Sequence, residues 1–147
     1  MTEHGRDILK KAYSAEDLDD TAAWVVDHCS DTRVWLFDAP MGAGKTTLIH
    51  RIINKLSEQP FLGSPTFSIV HEYLSRAGGM IYHLDLYRLR NAEELAALGF
   101  ETYLDTGDYL FIEWPEKAMS FLDNYCRIGI AITGENERLI TLEKSKS

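Results

Sequence analysis

The sequence has no apolar run near the roughly 18 residues that a membrane helix requires. Its opening stretch, MTEHGRDILKK, has no hydrophobic segment of the kind that marks a secretory signal. A soluble, cytoplasmic chain with no membrane partner is therefore expected. Cysteine is scarce. Cys29 and Cys126 stand far apart and belong to no CxxC or Cys/His spacing, which argues against a zinc site or a disulfide framework and makes both buried apolar residues. Positive charge is also in deficit. Lys and Arg number 15 against 23 Asp and Glu, so the net charge is −8 and the average surface repels phosphate backbones. Work on RNA would need a basic partner. Repeats, low-complexity tracts and long linkers are absent too, so the 147 residues are expected to form one domain, able to bury about two-thirds of its unfolded surface.

What is present is an alternation of helix and strand patterns. Ser14 and Asp17 have capping-box spacing, and Leu18, Ala22, Val25, Val26 and Cys29 share a helical face, which predicts a first ordered element, a helix, over 15–29. RVWLFDA reads as a buried strand, and helical spacing resumes after Gly44 through Leu48, Ile52, Ile53 and Leu56 before Pro60 stops it. TFSIVHEYL and MIYHLDLYRL flank the Gly78-Gly79 turn signal and predict an antiparallel hairpin. NAEELAALG predicts a short helix capped by Asn91 and ended at Gly99. YLFIEW is another buried strand, stopped by Pro115, and YCRIGIAIT and RLITLE pair across the turn GENE. Together these imply an α/β domain with a mixed sheet covered by helices.

The stretch FDAPMGAGKTTLIHRI lies where a strand hands over to a helix. Glycines at 42 and 44 let backbone N–H groups turn onto an anion, and the helix beginning near Lys45 adds the positive end of its dipole. Lys45 would reach the β- and γ-phosphates and the Thr46 hydroxyl would bind Mg²⁺, with Met41, Gly42, Ala43, Gly44 and Thr47 completing the cradle. At average residue usage GAGKTT's fixed positions arise by chance in roughly one chain of this length in ten thousand, and a plain bend does not explain the lysine and two threonines. The full signature G-x-x-x-x-G-K-[ST] is broken at its first glycine, where Ala39 stands before Pro40. Alanine replaces glycine without strain only where φ is negative.

A site that turns over a nucleotide also needs an acid near the metal and a group that orients water. Glu113 ends the buried strand YLFIEW, and Asp85 ends the strand in YHLDLYR. For an isolated acid a solvated or salt-bridged strand end is the usual explanation; beside a phosphate loop both become site candidates. His83 shares a sheet face with Asp85, but two residues are too few for a metal cage. His28 and His71 are expected to be structural or exposed, and Tyr73, Tyr82, Tyr87 and Phe111 to belong to the core. Trp114, between Glu113 and Pro115, could pack near a base or against a partner.

The segments MGAGKTT, SPTF (64–67), HLDLYRL (83–89), LGFETYL (98–104) and FIEWPEK (111–117) occur in an order and spacing that resemble the TsaE family of bacterial P-loop ATPases, required for threonylcarbamoyladenosine in tRNA. The resemblance spans 34–117. It implies a P-loop NTPase-like three-layer sandwich with a mixed central β-sheet, and an ATPase using ATP/ADP and Mg²⁺. It also implies work with TsaD and TsaB on adenosine 37 of tRNAs reading ANN codons. The tRNA would be met only through that complex, and the chain alone could be a monomer. Carried onto this sequence, Lys45 and Thr46 handle phosphate and Mg²⁺, Glu113 is the acidic Mg²⁺ ligand, Thr66 senses the γ-phosphate, and Asp85 positions water. The family usually has Gly-Asp/Glu-Leu/Met where this chain has Ala39-Pro40-Met41. Two other classes fit a phosphate loop: a small-molecule kinase, for which Arg76, Arg88, Arg90, Arg127 and Arg138 make a thin lid, and a nucleotide-sensing adaptor with negligible turnover.

Overall fold

The computed structural model describes residues 7–65 and 69–145. Seven strands form one sheet: β1 (Asp7–Tyr13), β2 (Val34–Asp38), β3 (Val70–Leu74), β4 (Met80–Asp85), β5 (Tyr109–Glu113), β6 (Cys126–Gly134) and β7 (Glu137–Lys144), in the order β1-β7-β6-β2-β5-β4-β3. The central pairs β6–β2, β2–β5 and β5–β4 are parallel, and the outer pairs are antiparallel. Residues of β2 alternate between two cores because parallel strands are buried on both faces. Trp35 and Phe37 pack with helices α1 (Leu18–Cys29) and α2 (Lys45–Leu56), through Ala22, Val25, Leu48, Ile49 and Ile52. Val34 and Leu36 face the other layer, where α3 (Ala92–Ala97), α4 (Phe100–Asp105) and the 3₁₀ helix Pro115–Phe121 contribute Leu95, Phe100 and Ala118. This is the three-layer α/β arrangement expected. No helix among the described residues is long and apolar enough to cross a membrane.

Both predicted hairpins are present, with β3–β4 turning at Gly78, φ +103°, and β6–β7 turning at 135–136. Asn91 caps α3 by accepting from the Glu94 N–H at 2.9 Å.

Three expectations need correction, and one short helix lies outside them. The first ordered element is not a helix but β1, which pairs along its length with β7. Its side chains from Ile8 to Lys10 are exposed, so no alternation marks it. The helix placed over 15–29 starts with a 3₁₀ turn, Ala15–Asp17, where the Asp17 carboxylate accepts from the Ser14 N–H at 3.2 Å, and α1 begins at Leu18. LGFETYL holds a second short helix, α4, whose carboxyl-terminal carbonyls accept hydrogen bonds from Arg33. Tyr87 is 61% exposed rather than core, whereas Tyr73 and Phe111 are buried. Cys29 and Cys126 are buried free thiols as expected, but the fold brings their Sγ atoms to 2.6 Å and so joins α1 to β6.

Candidate functional site

The carboxyl ends of β2, β4 and β5 open on one edge of the sheet, where a parallel sheet offers its binding crevice. From β2 the chain runs through residues 39–44 into α2. Gly42 and Gly44 have φ of +81° and +96°, a conformation that favours glycine, and nothing lies within 4 Å of where a Cβ would stand. Gly44 is the N-cap of α2 and supplies no side-chain cap, and no acid sits in the first turn. The first amides of a 12-residue helix are thus left for an anion. Ala39 is buried and, because Trp114 is the sole non-glycine residue with positive φ among the described residues, it carries no left-handed strain. Arg138 of β7 braces the loop, its Nε donating to the Ala43 carbonyl at 3.1 Å.

Three of the candidate residues meet here. Lys45 Nζ lies 3.6 Å from Glu113 Oε1 and 4.1 Å from the centroid of the Trp114 ring. The ammonium is therefore shared between a carboxylate and an aromatic face. Glu113 Oε2 accepts from His83 Nε2 at 2.6 Å and from Ser64 Oγ at 2.7 Å. Ser64 Oγ in turn lies 3.1 Å from Thr46 Oγ1. Burial, the largest influence on Glu113, pushes its carboxyl up, but the His83 contact, the Ser64 hydroxyl and the Lys45 ammonium together hold it below its ordinary value. His83 is fully buried, and its Nδ1 has no hydrogen-bond partner among the described residues.

Asp85 is the register partner of Glu113 across β4–β5. Its Oδ1 accepts from the Tyr87 N–H at 2.9 Å, and burial foremost, with the charge of Glu113, raises its carboxyl above the ordinary value. The Tyr87 ring packs 5.0 Å from that of Trp114. Thr46 and Thr47 are exposed on the first turn of α2, as is Met41 in the loop. Thr66 lies outside the described residues.

Two residues in this cluster had no site role in the sequence pattern. Ser64 was visible only as part of SPTF, and His83 only as a neighbour of Asp85. His71 is structural, with its Nδ1 donating to the Gly63 carbonyl at 2.9 Å. A cavity of about 170 Å³ opens beside the loop, bounded by Tyr13, Leu18, Ala43, Thr47, Asn136 and Arg138.

The oxygens of Thr46 and Glu113 suit a hard cation such as Mg²⁺. Among the described residues no cluster of three or more His, Cys, Asp or Glu could hold a metal alone. A cation here would need further oxygens beyond these two, from hydroxyls, phosphate or water.

Comparison with known proteins follows the same lines. The model of the family "Threonylcarbamoyl adenosine biosynthesis protein TsaE" matches residues 12–140. Proteins named tRNA threonylcarbamoyladenosine biosynthesis protein TsaE are similar to this chain. The one from Haemophilus influenzae is 45% identical over 82 residues, 56% of this chain and 51% of that protein. The one from Rickettsia felis is 35% identical over 114 residues, 76% of this chain and 66% of that protein. The one from Rickettsia conorii is 36% identical over 131 residues, 88% of this chain and 74% of that protein. The matched segment thus spans about half of the first relative's length and just under two-thirds of the second's. A crystal structure of "Bacillus subtilus YdiB" superposes with a TM-score of 0.72 at 22% identity, covering 99% of this chain and 90% of that one, a likeness of fold.

Proposed function

The chain belongs to the TsaE family, and from that premise we propose that it binds and hydrolyses ATP as a component of the machinery that forms threonylcarbamoyladenosine in tRNA. The observation that carries this reading is the uncapped N-terminus of α2 behind Gly42 and Gly44, with Lys45 and Glu113 meeting at its mouth.

The phosphates are held by the amides of residues 42–47, including Met41's neighbour Gly42, Ala43, Gly44, Lys45, Thr46 and Thr47. Lys45 leaves the Trp114 face and Glu113 to meet the β- and γ-oxygens. The exchange costs little, because a phosphate oxygen replaces a carboxylate partner. Thr46 and Glu113 would hold Mg²⁺, which would supply charge neutralisation to the phosphates. Asp85, with its raised carboxyl, is the more basic of the two acids and orients the attacking water. Thr66 takes the γ-phosphate-sensing place in SPTF. The base enters the cavity beside Ala43 and Thr47.

Partners are assigned by chemistry and by family. An acidic chain of net charge −8 repels tRNA and is attracted to a basic protein that carries it. TsaD and TsaB are the partners this reading names, and turnover by the chain alone is slow because groups from a partner complete such sites. Phosphate release from ATP and Mg²⁺, measured with the chain alone and with TsaD and TsaB, tests the proposal. Release that rises with the partners and vanishes in Lys45→Ala supports it. Phosphorylation of an added small acceptor in place of release would make the protein a kinase. ATP-dependent association with no release would make it an adaptor.

A further inference from the structure

We propose that Ser64 supplies a third protein oxygen to the magnesium site beside Thr46 and Glu113, an assignment that rests on the nucleotide reading above. Its basis is the direction of two hydrogen bonds. A serine hydroxyl has one proton, and Ser64 Oγ donates it to Glu113 Oε2 at 2.7 Å. The 3.1 Å contact between Thr46 and Ser64 must then have Thr46 Oγ1 as donor and Ser64 Oγ as acceptor. Thr46, Ser64 and Glu113 thus form a row of oxygens, with the middle one bound to both others.

That row fits a magnesium shell in spacing and in charge. Magnesium at about 2.0–2.1 Å from octahedral ligands sets adjacent oxygens about 2.9 Å apart, between the two separations observed here. Any pair of hydrogen bonds would give similar spacing, so the weight falls on what lies between the oxygens. Two hydroxyl protons point along the row toward the carboxylate, where a cation's charge would stand. When the cation takes their place, both hydroxyls turn a lone pair inward and their protons outward. Glu113 meanwhile keeps His83 as a partner at 2.6 Å, so its carboxylate need not move.

Ser64 is also held in place by the sheet. The Leu62 N–H donates to the Tyr73 hydroxyl at 3.0 Å, and His71 Nδ1 donates to the Gly63 carbonyl at 2.9 Å. Tyr73 and His71 both belong to β3, and Gly63 turns the chain between these two anchors with φ +85°. Residues 62–64 are therefore fixed from β3 so that the hydroxyl faces Thr46. A loop serine meeting the two ligands by accident would need none of these ties.

The test uses the full chain with saturating ADP and Mn²⁺ as the probe, bound metal being read by electron paramagnetic resonance. For Ser64→Ala the Mn²⁺ dissociation constant is expected to rise at least about tenfold, while ADP affinity without metal changes less than about twofold; Ser64→Thr, which keeps the hydroxyl, is expected to bind Mn²⁺ like the wild type. Mn²⁺ binding by Ser64→Ala as tight as the wild type's, or tighter, would make the hydroxyl a mere occupant of the metal's place and overturn the assignment. An equal loss of metal-free ADP binding, or equal weakening in both variants, would mean loop damage and overturn it as well. If the wild type itself binds no ADP, the nucleotide reading fails first; if it binds ADP and only the serine effect is missing, this inference fails alone.

Discussion

Asp85 and Glu113 stand beside each other as register partners at the ends of β4 and β5, yet their carboxyls are driven in opposite directions. For Asp85 burial dominates and only the Tyr87 N–H bond, Lys45 and His83 oppose it. For Glu113 burial is again the largest influence, but His83, Ser64 and Lys45 together outweigh it. Two acids on one edge are thereby separated in basicity, the arrangement by which a site gives one carboxylate to a cation and the other to a proton.

Their contributions to stability must therefore have opposite pH slopes. Glu113 titrates lower in the folded chain than its ordinary 4.5, so its stabilising contacts are complete above that value and are lost as pH falls through the folded value. Asp85 titrates higher than its ordinary 3.8, so stability falls as pH rises through its folded value. Thermal unfolding of the metal-free chain between pH 3 and 7 checks this. Glu113→Gln is expected to lose about 3 kcal/mol at pH 7, since it leaves Lys45 and His83 without their anion, and to flatten the acid limb. Asp85→Asn should be no less stable than the wild type at pH 7, and a loss there comparable to that of Glu113→Gln would contradict the assignment.

Lys45 tests the phosphate site separately from the fold. Its side chain is 10% exposed and touches only Glu113 and Trp114 among the contacts described, neither of which depends on it for a core position. Lys45→Ala is expected to bind ADP at least about 100-fold more weakly, a loss near 2.7 kcal/mol, within the range for a charge-assisted hydrogen bond. The far-UV dichroism spectrum should be unchanged. Calorimetric titration with ADP and Mg²⁺ reads the affinity, and wild-type binding by this variant would remove lysine from the site.

The loop makes a contrary prediction for its two ends. Restoring the signature glycine with Ala39→Gly should not improve nucleotide binding, because position 39 has no positive φ to relieve; the added chain freedom should instead cost about 0.5–1 kcal/mol. Gly44→Ala should cost about 1–2 kcal/mol, since an L side chain is strained at φ +96° although no atom obstructs it. It should also weaken ADP binding by disturbing the amides at the helix start. Denaturant melts and ADP titrations of the two variants check both signs. Tighter ADP binding by Ala39→Gly would show that the departure from the signature weakens the site.

Much of this site was legible because its chemistry is local. The strand VWLFD, the glycines and Lys45 lie within a dozen residues, and Glu113 and Asp85 end strands whose apolar runs announce them. What was hidden depends on contacts distant in sequence. Ser64 and His83 acquire a role only where the 61–65 segment and β4 fold against Glu113. β1 was hidden for another reason: DILKKAY is an edge strand with exposed residues on both faces, so it has no period to read. Tyr87 was misread for the converse reason, since it sits in an apolar run but beyond the end of β4, at the mouth of the site.

His83 gives the sharpest separation of positioning from packing. It is fully buried, its Nε2–H goes to Glu113, and its ring lies 6.2 Å from that of Phe61. A histidine kept for packing alone would tolerate leucine, because the volume is similar and one orphaned nitrogen would be removed. A histidine that aims Glu113 would not, because Oε2 would then rely on Ser64, the group that must turn away when a cation arrives. His83→Leu is thus expected to melt below the wild type, because buried Glu113 loses a hydrogen-bond donor, and to bind Mn²⁺ in the ADP complex about 10–100-fold more weakly. His83→Gln, whose amide can donate to the same oxygen, should recover part of that loss. Equal metal affinity in His83→Leu and the wild type would reduce His83 to a core residue.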